Sequence, residues 1–196
     1  MDQPVGQLQR CPWCGSEPLY VAYHDEEWGV PCHDDKRLFE FLILEGAQAG
    51  LSWLTVLKKR DGYRRAFADW DVEKIAGFTD DDLARLRQNP DIIKNRLKIA
   101  ATRQNARAWL ALLDKFPSFA DYLWRFTDGE SIDNQRRILA EIPATTAISD
   151  RLSKDLKRRG FTFVGSTICY AFMQAMGLVN DHLVDCFRYR QLGGRG

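Results

Sequence analysis

The spacing of apolar and polar positions changes character near residue 35. Across 1–34 no period is sustained, and prolines at 4, 12, 18 and 31 and glycines at 6, 15 and 29 interrupt the chain, so an irregular segment is expected there. From Asp35 onward helical spacing takes over, with Leu38, Phe39, Leu42 and Ile43 on one face. Gly46 and Gly50 then loosen the chain, and Ser52 is placed to cap a helix carrying Trp53, Val56 and Leu57. Thr79 with Asp82 is a relative of the capping box and leads into a helix with Leu83 and Leu86 that stops at Asn89-Pro90. A long helical pattern follows through Ile92, Ile93, Leu97, Ala100, Trp109 and Leu113. Ser149 is the expected cap of a helix over 150–159 ended by Gly160, and 166–176 reads as an apolar helix ended by Gly177. No stretch alternates as a half-buried strand would, and no internal repeat is present, so the pattern predicts an all-α fold.

One unit bears on function. Residues 79–103 read as a short helix, a tight turn containing Asn89, Pro90 and Asp91, and a second helix carrying Arg96, Lys98 and Arg103. Such a helix–hairpin–helix can offer backbone N–H groups at the start of its second helix to a phosphate, with nearby cations adding attraction. An ordinary αα-hairpin is the commoner object with this spacing. Two basic clusters, Lys58, Lys59, Arg60, Arg64 and Arg65, then Lys154, Lys157, Arg158 and Arg159, suit phosphates equally well in principle. Asp61 and Asp155 interrupt them, which favours solvated helix faces.

Composition narrows the class. A chain of 196 residues with 45% hydrophobic and 28% charged residues can bury a core and is expected to form one domain. The densest apolar run, 38–44, is short and contains Glu40, so it predicts a buried helix rather than a membrane span. Residues 1–10 lack the basic and apolar regions of a signal peptide, and a cytoplasmic protein is expected. The net charge of +1 does not by itself announce a nucleic-acid partner.

Five cysteines in such a chain point to metal binding rather than disulfides. Cys11 and Cys14 lie near the start, and His182 and Cys186 near the end, the latter pair one helical turn apart. Spacing alone selects Cys11, Cys14, His182 and Cys186, with His24, Cys32 and His33 as further candidates. Buried thiols with unrelated histidines are the plain alternative. Four protein ligands leave no open position, so such a site would be structural and would tie the N-terminal segment to the C-terminal end.

Several stretches, in order and spacing, carry a resemblance. They are Arg10-Cys11-Pro12-Trp13, the run from Pro18 to Asp25 with Tyr20, Tyr23 and His24, and Glu27-Trp28-Gly29-Val30-Pro31. Leu44-Glu45-Gly46-Ala47-Gln48 leads on to Ser52-Trp53; later come Lys157 to Gly165, Cys169 to Gln174, and Gly177 to His182. Together they resemble the type I 3-methyladenine DNA glycosylases of the helix–hairpin–helix glycosylase superfamily, over about residues 10–187. The resemblance implies a helical glycosylase domain over 10–188 whose termini are joined by zinc, with flexible tails at 1–9 and 189–196. It implies a zinc held by Cys11, His24, His182 and Cys186, which replaces Cys14 of the spacing-only choice with His24. Asp91 departs from the glycine that such hairpins often carry, and its carboxylate must point away from any phosphate.

The implied reaction is hydrolysis of the N-glycosidic bond of 3-methyladenine in alkylated double-stranded DNA by a monomer. It would release the free base and leave an abasic site, with no strand cutting because no lysine is assignable as a Schiff-base nucleophile. Methylation at N3 places positive charge on the base and weakens its bond to the sugar. Recognition of an extruded cation is then the main task. Aromatic faces attract a flat cation and a carboxylate complements its charge. The resemblance assigns Glu45 as that carboxylate and the catalytic group, with Trp13, Tyr23 and Trp53 as pocket aromatics and Tyr20 and Trp28 as lesser candidates. Trp70, Trp109 and Trp124 are read as core. Two other classes compete: a non-catalytic zinc-stabilised nucleic-acid-binding module, which needs no Glu45, and a zinc hydrolase with three ligands and an activated water.

Overall fold

The computed structural model describes residues 8–195, so most of the tail expected at 1–9 lies outside the described residues. The fold is mostly helical. Its helices, in chain order, are α1 (Pro18–Glu26), α2 (Asp35–Gln48), α3 (Trp53–Leu57), α4 (Arg60–Ala66), α5 (Val72–Ala76) and α6 (Asp80–Leu86), followed by α7 (Arg96–Leu113), α8 (Phe119–Trp124), α9 (Ala147–Arg158), α10 (Ser166–Ala175) and α11 (Phe187–Gln191). Two two-residue strands, β1 (Ile132–Asp133) and β2 (Val179–Asn180), pair in parallel, a small departure from the purely helical expectation.

α2 is the axis of the molecule. Asp34 caps it by accepting from the Arg37 N–H, and every residue from Leu38 to Ala47 is buried. A helix apolar all round must be enclosed, and α3, α7, α8 and α10 enclose this one. Asp35 in its first turn also accepts from the N–H groups of Phe119 and Ala120, so α2 caps α8. The helix does not loosen at Gly46. A Cβ there would lie 3.2 Å from Phe163 Cβ, so the glycine admits a neighbouring chain against the helix. α2 therefore carries Glu45 in its interior rather than at its end.

Other expectations shift at element ends. The 1–34 segment is not irregular throughout, because Pro18 at the first helical position opens the nine-residue α1. Thr146, not Ser149, caps α9; Ser149 is the third helical residue and returns a bond to the Thr146 N–H, a reciprocal capping box. Ile92 and Ile93 precede α7 instead of belonging to it. Thr79 and Asp82 form both arms of their box, and Ser52 caps α3 as expected. Trp70, Trp109 and Trp124 are all in the core. The boundary expected at 188 falls inside α11, whose Tyr189 is fully buried.

Candidate functional site

The two ends of the chain meet. A short 3-10 turn, Pro12–Cys14, follows Cys11; His24 lies in the last turn of α1; His182 follows β2, and Cys186 caps α11. One ligand atom from each of Cys11, His24, His182 and Cys186 falls within 4.8 Å of the others, and all four residues are buried. Cys11 Sγ lies 3.6 Å from His182 Nδ1, and Cys186 Sγ lies 3.5 Å from both His182 Nδ1 and His24 Nε2. A tetrahedron with zinc–sulfur and zinc–nitrogen bonds of ordinary length has sulfur–nitrogen edges of about 3.6 Å. The donor set therefore fits a tetrahedral soft-ligand ion.

The outer partners agree with that fit. His24 Nδ1 lies 2.7 Å from Asp25, which Arg10 grips through Nε and Nη2, and His182 Nε2 lies 3.0 Å from the Trp28 carbonyl. Each imidazole can thus donate outward and turn its other nitrogen inward. Gly29, at φ +82°, makes room: a Cβ would sit 3.1 Å from the His182 ring. The hydrogen bond between the two thiols pushes Cys11 far up and draws Cys186 down, with His182 and His24 also lowering Cys186. Cys14, the spacing-only choice, is buried nearby, but its thiol donates to the Cys11 carbonyl and it is not among the four grouped residues. Cys32 and His33 are likewise outside the group; His33 stacks on Trp124.

A cleft of about 370 Å³ opens beside this cluster. Trp13 comes from the 3-10 turn, Tyr20 and Tyr23 from one face of α1, Trp28 from the turn after it, and Trp53 from the start of α3. Trp13 packs edge-on against Trp28 and the His24 ring, and Trp28 against His182, so two walls of the cleft rest directly on the metal-type cluster. α2 supplies Glu45 and Gln48, and α10 supplies Ala171 and Gln174. Leu139 and Ile142 close another side from the first and the flanking residue of a short 3-10 turn, Leu139–Glu141; no periodicity there marks them in the sequence.

Glu45 is the anomaly. Its neighbour on the same helix, Glu40, is also buried but is gripped through both oxygens by the Arg64 guanidinium. Glu45 is 4% exposed, and its Oε2 has no hydrogen-bond partner. Burial pushes its carboxyl up to about 8. The indole N–H groups of Trp13 and Trp53 are buried without partners as well. Burial, then the charge of Glu45, raises Tyr23 well above its ordinary value, so its hydroxyl stays neutral. A flat ligand bearing positive charge would lie among aromatic faces and relieve the cost of an ionised Glu45.

The basic clusters do not all face outward. Lys58 pairs with Glu17, Arg60 with Glu27, Arg64 with Glu40 and Arg65 with Asp91, and Lys59 donates to the Pro90 carbonyl. Each cation of the first cluster has a partner within the chain, although Lys58 and Arg65 remain exposed. In the second, Arg158 and Arg159 both pair with Asp155, while Lys154 and Lys157 are exposed. The N–H groups of Leu97 and Lys98, where phosphate contacts were expected, are taken by the Asn95 side chain. Asp91 leans toward Arg65.

A mostly helical protein with an aromatic cleft ending on an uncompensated buried acid has a site suited to a flat, positively charged group. The chain belongs to the methyladenine glycosylase family, whose model matches residues 13–189. DNA-3-methyladenine glycosylase 1 of Escherichia coli (strain K12) is 53% identical over 182 residues, which cover 93% of this chain and 97% of that protein. A crystal structure of 3-methyladenine DNA glycosylase I superposes with a TM-score of 0.89 at 56% identity, covering 91% of this chain and 98% of that one. The enzyme from Staphylococcus aureus, solved to explain its recognition of 3-methyladenine, superposes equally well at 38% identity over 93% of this chain and 97% of its own. Removal of 3-methyladenine in base-excision repair is the activity that family membership assigns.

Proposed function

We propose that this protein excises 3-methyladenine from double-stranded DNA, with Glu45 as the group that recognises the charged base and steadies its departure. The unpartnered, buried Oε2 of Glu45 in an aromatic cleft carries this reading. Trp13, Tyr23 and Trp53 contact the extruded base, with Tyr20 and Trp28 completing the walls. In the reaction the N9–C1′ bond breaks, its electron pair leaving with N9, which neutralises the cationic base. Water then adds its oxygen to C1′ and gives up a proton, which yields an abasic site. The substrate arrives already activated, so the residues that matter most bind and orient. Normal adenine carries no charge, and for it the burial cost of an ionised Glu45 goes unrelieved.

Among the described residues no lysine lines the cleft, which is in keeping with base release without strand cleavage. Lys98 lies near the end of α2, but its ammonium is held by the carbonyls of Ala47 and Ala49. Cys11, His24, His182 and Cys186 would hold a structural zinc, which would supply no chemistry at the base and would fix the walls at Trp13 and Trp28.

The test is incubation with methylated duplex DNA and chromatography of the released bases. Free 3-methyladenine, with strands that break only after alkali, is expected. Folded, zinc-loaded protein that releases no base would leave a binding module in its place.

A further inference from the structure

Asp181 lies between the metal-type cluster and the base cleft. It follows β2, directly precedes His182, and is 1% exposed. Its Oδ1 accepts from Asn134 Nδ2 at 2.7 Å and from Arg136 Nε at 3.3 Å. Its Oδ2 accepts from the Tyr170 hydroxyl at 2.6 Å and from Gln174 Nε2 at 2.7 Å. Tyr170 and Gln174 are one turn apart on α10, so one face of that helix converges on a single carboxylate. Gln174 is also a wall of the cleft.

A primary amide can be turned either way, and its neighbours decide which end is which. A carboxylate can only accept here, so it must face the NH₂ end. That leaves Oε1 as the free end of Gln174, and it accepts from no described residue.

We propose that Asp181 orients Gln174 so that its Oε1 stands in the cleft as an acceptor for the exocyclic 6-amino group of adenine. Gln174 is then a specificity-determining residue and Asp181 its positioning residue. The inference rests on the cleft being the base pocket and adds a second choice to it. Charge complementarity at Glu45 separates alkylated from normal purines. It does not separate 3-methyladenine from 3-methylguanine, because both carry the same methyl group and charge. At position 6 they differ: adenine offers N–H donors and guanine a carbonyl, which would face Gln174 Oε1 acceptor to acceptor. Sites built to hydrogen-bond one edge reject the edge that leaves a buried group unpaired.

The experiment measures release of both bases from methylated duplex DNA by the zinc-loaded protein and its variants. Gln174→Met keeps the side-chain volume without the polar end; Gln174→Ala replaces it should Met not fold. The ratio of 3-methyladenine to 3-methylguanine release is expected to fall about tenfold with zinc content unchanged, while Tm falls because Asp181 loses one of its donors. Asp181→Asn, checked for zinc because its neighbour His182 is a candidate ligand, frees the amide to turn and is expected to lower the same ratio. Tyr170→Phe removes a donor from Asp181 without freeing the amide and is expected to leave it. An unchanged ratio in the Gln174 variants overturns the proposal, whatever their overall rate. If the unsubstituted protein releases neither base, the reading of the cleft fails instead.

Discussion

Two glutamates on α2 set the chemistry apart from the packing. Glu40 and Glu45 have nearly the same burial, yet only Glu40 has a guanidinium. The difference predicts a pH dependence of stability. Unfolded, Glu45 titrates near its ordinary 4.5; folded, near 8. Between those values the folded state holds the extra proton, so raising the pH favours unfolding and stability falls from pH 4.5 to about 8, then levels. The linkage has a ceiling of roughly 5 kcal/mol. Glu45→Gln cannot titrate, so its stability relative to the unsubstituted protein should rise over that window. Urea unfolding at pH 5.5 and 8.5 measures it, and parallel curves would show that Glu45 has a partner in solution. The same variant should bind free 3-methyladenine at least tenfold more weakly with zinc content intact, read by tryptophan quenching. The cysteines give a second test: Cys14→Ser should keep the metal and Cys11→Ser lose it, measured as zinc per chain after dialysis, because only Cys11 is grouped with the two histidines and Cys186.

At the scale of elements, the hairpin between α6 and α7 is held from below. Gly62 in α4 faces the Asp91 backbone so closely that a Cβ would lie 2.3 Å from the Asp91 carbonyl oxygen. Lys59, just before α4, and Arg65 within it grip Pro90 and Asp91. Gly62→Ala should therefore destabilise the protein by about 1–3 kcal/mol through overpacking, in spite of alanine's better helix propensity, seen as a lower urea midpoint. What the sequence made legible follows from where each element's faces point. α2, α3, α6 and α10 bury apolar faces and carry capping or glycine signals, and they were readable. α1 was not, because Tyr20 and Tyr23 line the cleft while His24 enters the metal-type cluster, which leaves no apolar stripe. α9 starts three residues before the position that Ser149 suggests, because Ser149 is the returning arm of a capping box rather than its start. Glu45 and the aromatics were legible through their motif order, whereas Leu139, Ile142 and Gln174 reach the cleft through tertiary contacts that no local spacing encodes.

Across the whole molecule, the cluster of Cys11, His24, His182 and Cys186 and the cleft are one structure. The rings that wall the cleft at Trp13 and Trp28 rest on the imidazoles of His24 and His182. Among the described residues, the segment carrying Cys11 and Trp13 holds a single 3-10 turn before α1, so a metal bond there would restrain a loop that packing alone holds weakly. Removing zinc should thus have an uneven effect. α2, α7 and α10 share one apolar core to which none of the four cluster residues belongs, so helix content by circular dichroism should change little. Tm should fall by several degrees, and affinity for free 3-methyladenine should drop further than that loss of stability explains, because the Trp13 and Trp28 walls lose their backing. Chelation followed by titration with base, at a temperature where the apo protein is still folded, separates the two effects. Equal affinity with and without zinc would make the ion a staple of the chain ends alone. A loss restored by added zinc would tie recognition of the base to the joining of the termini.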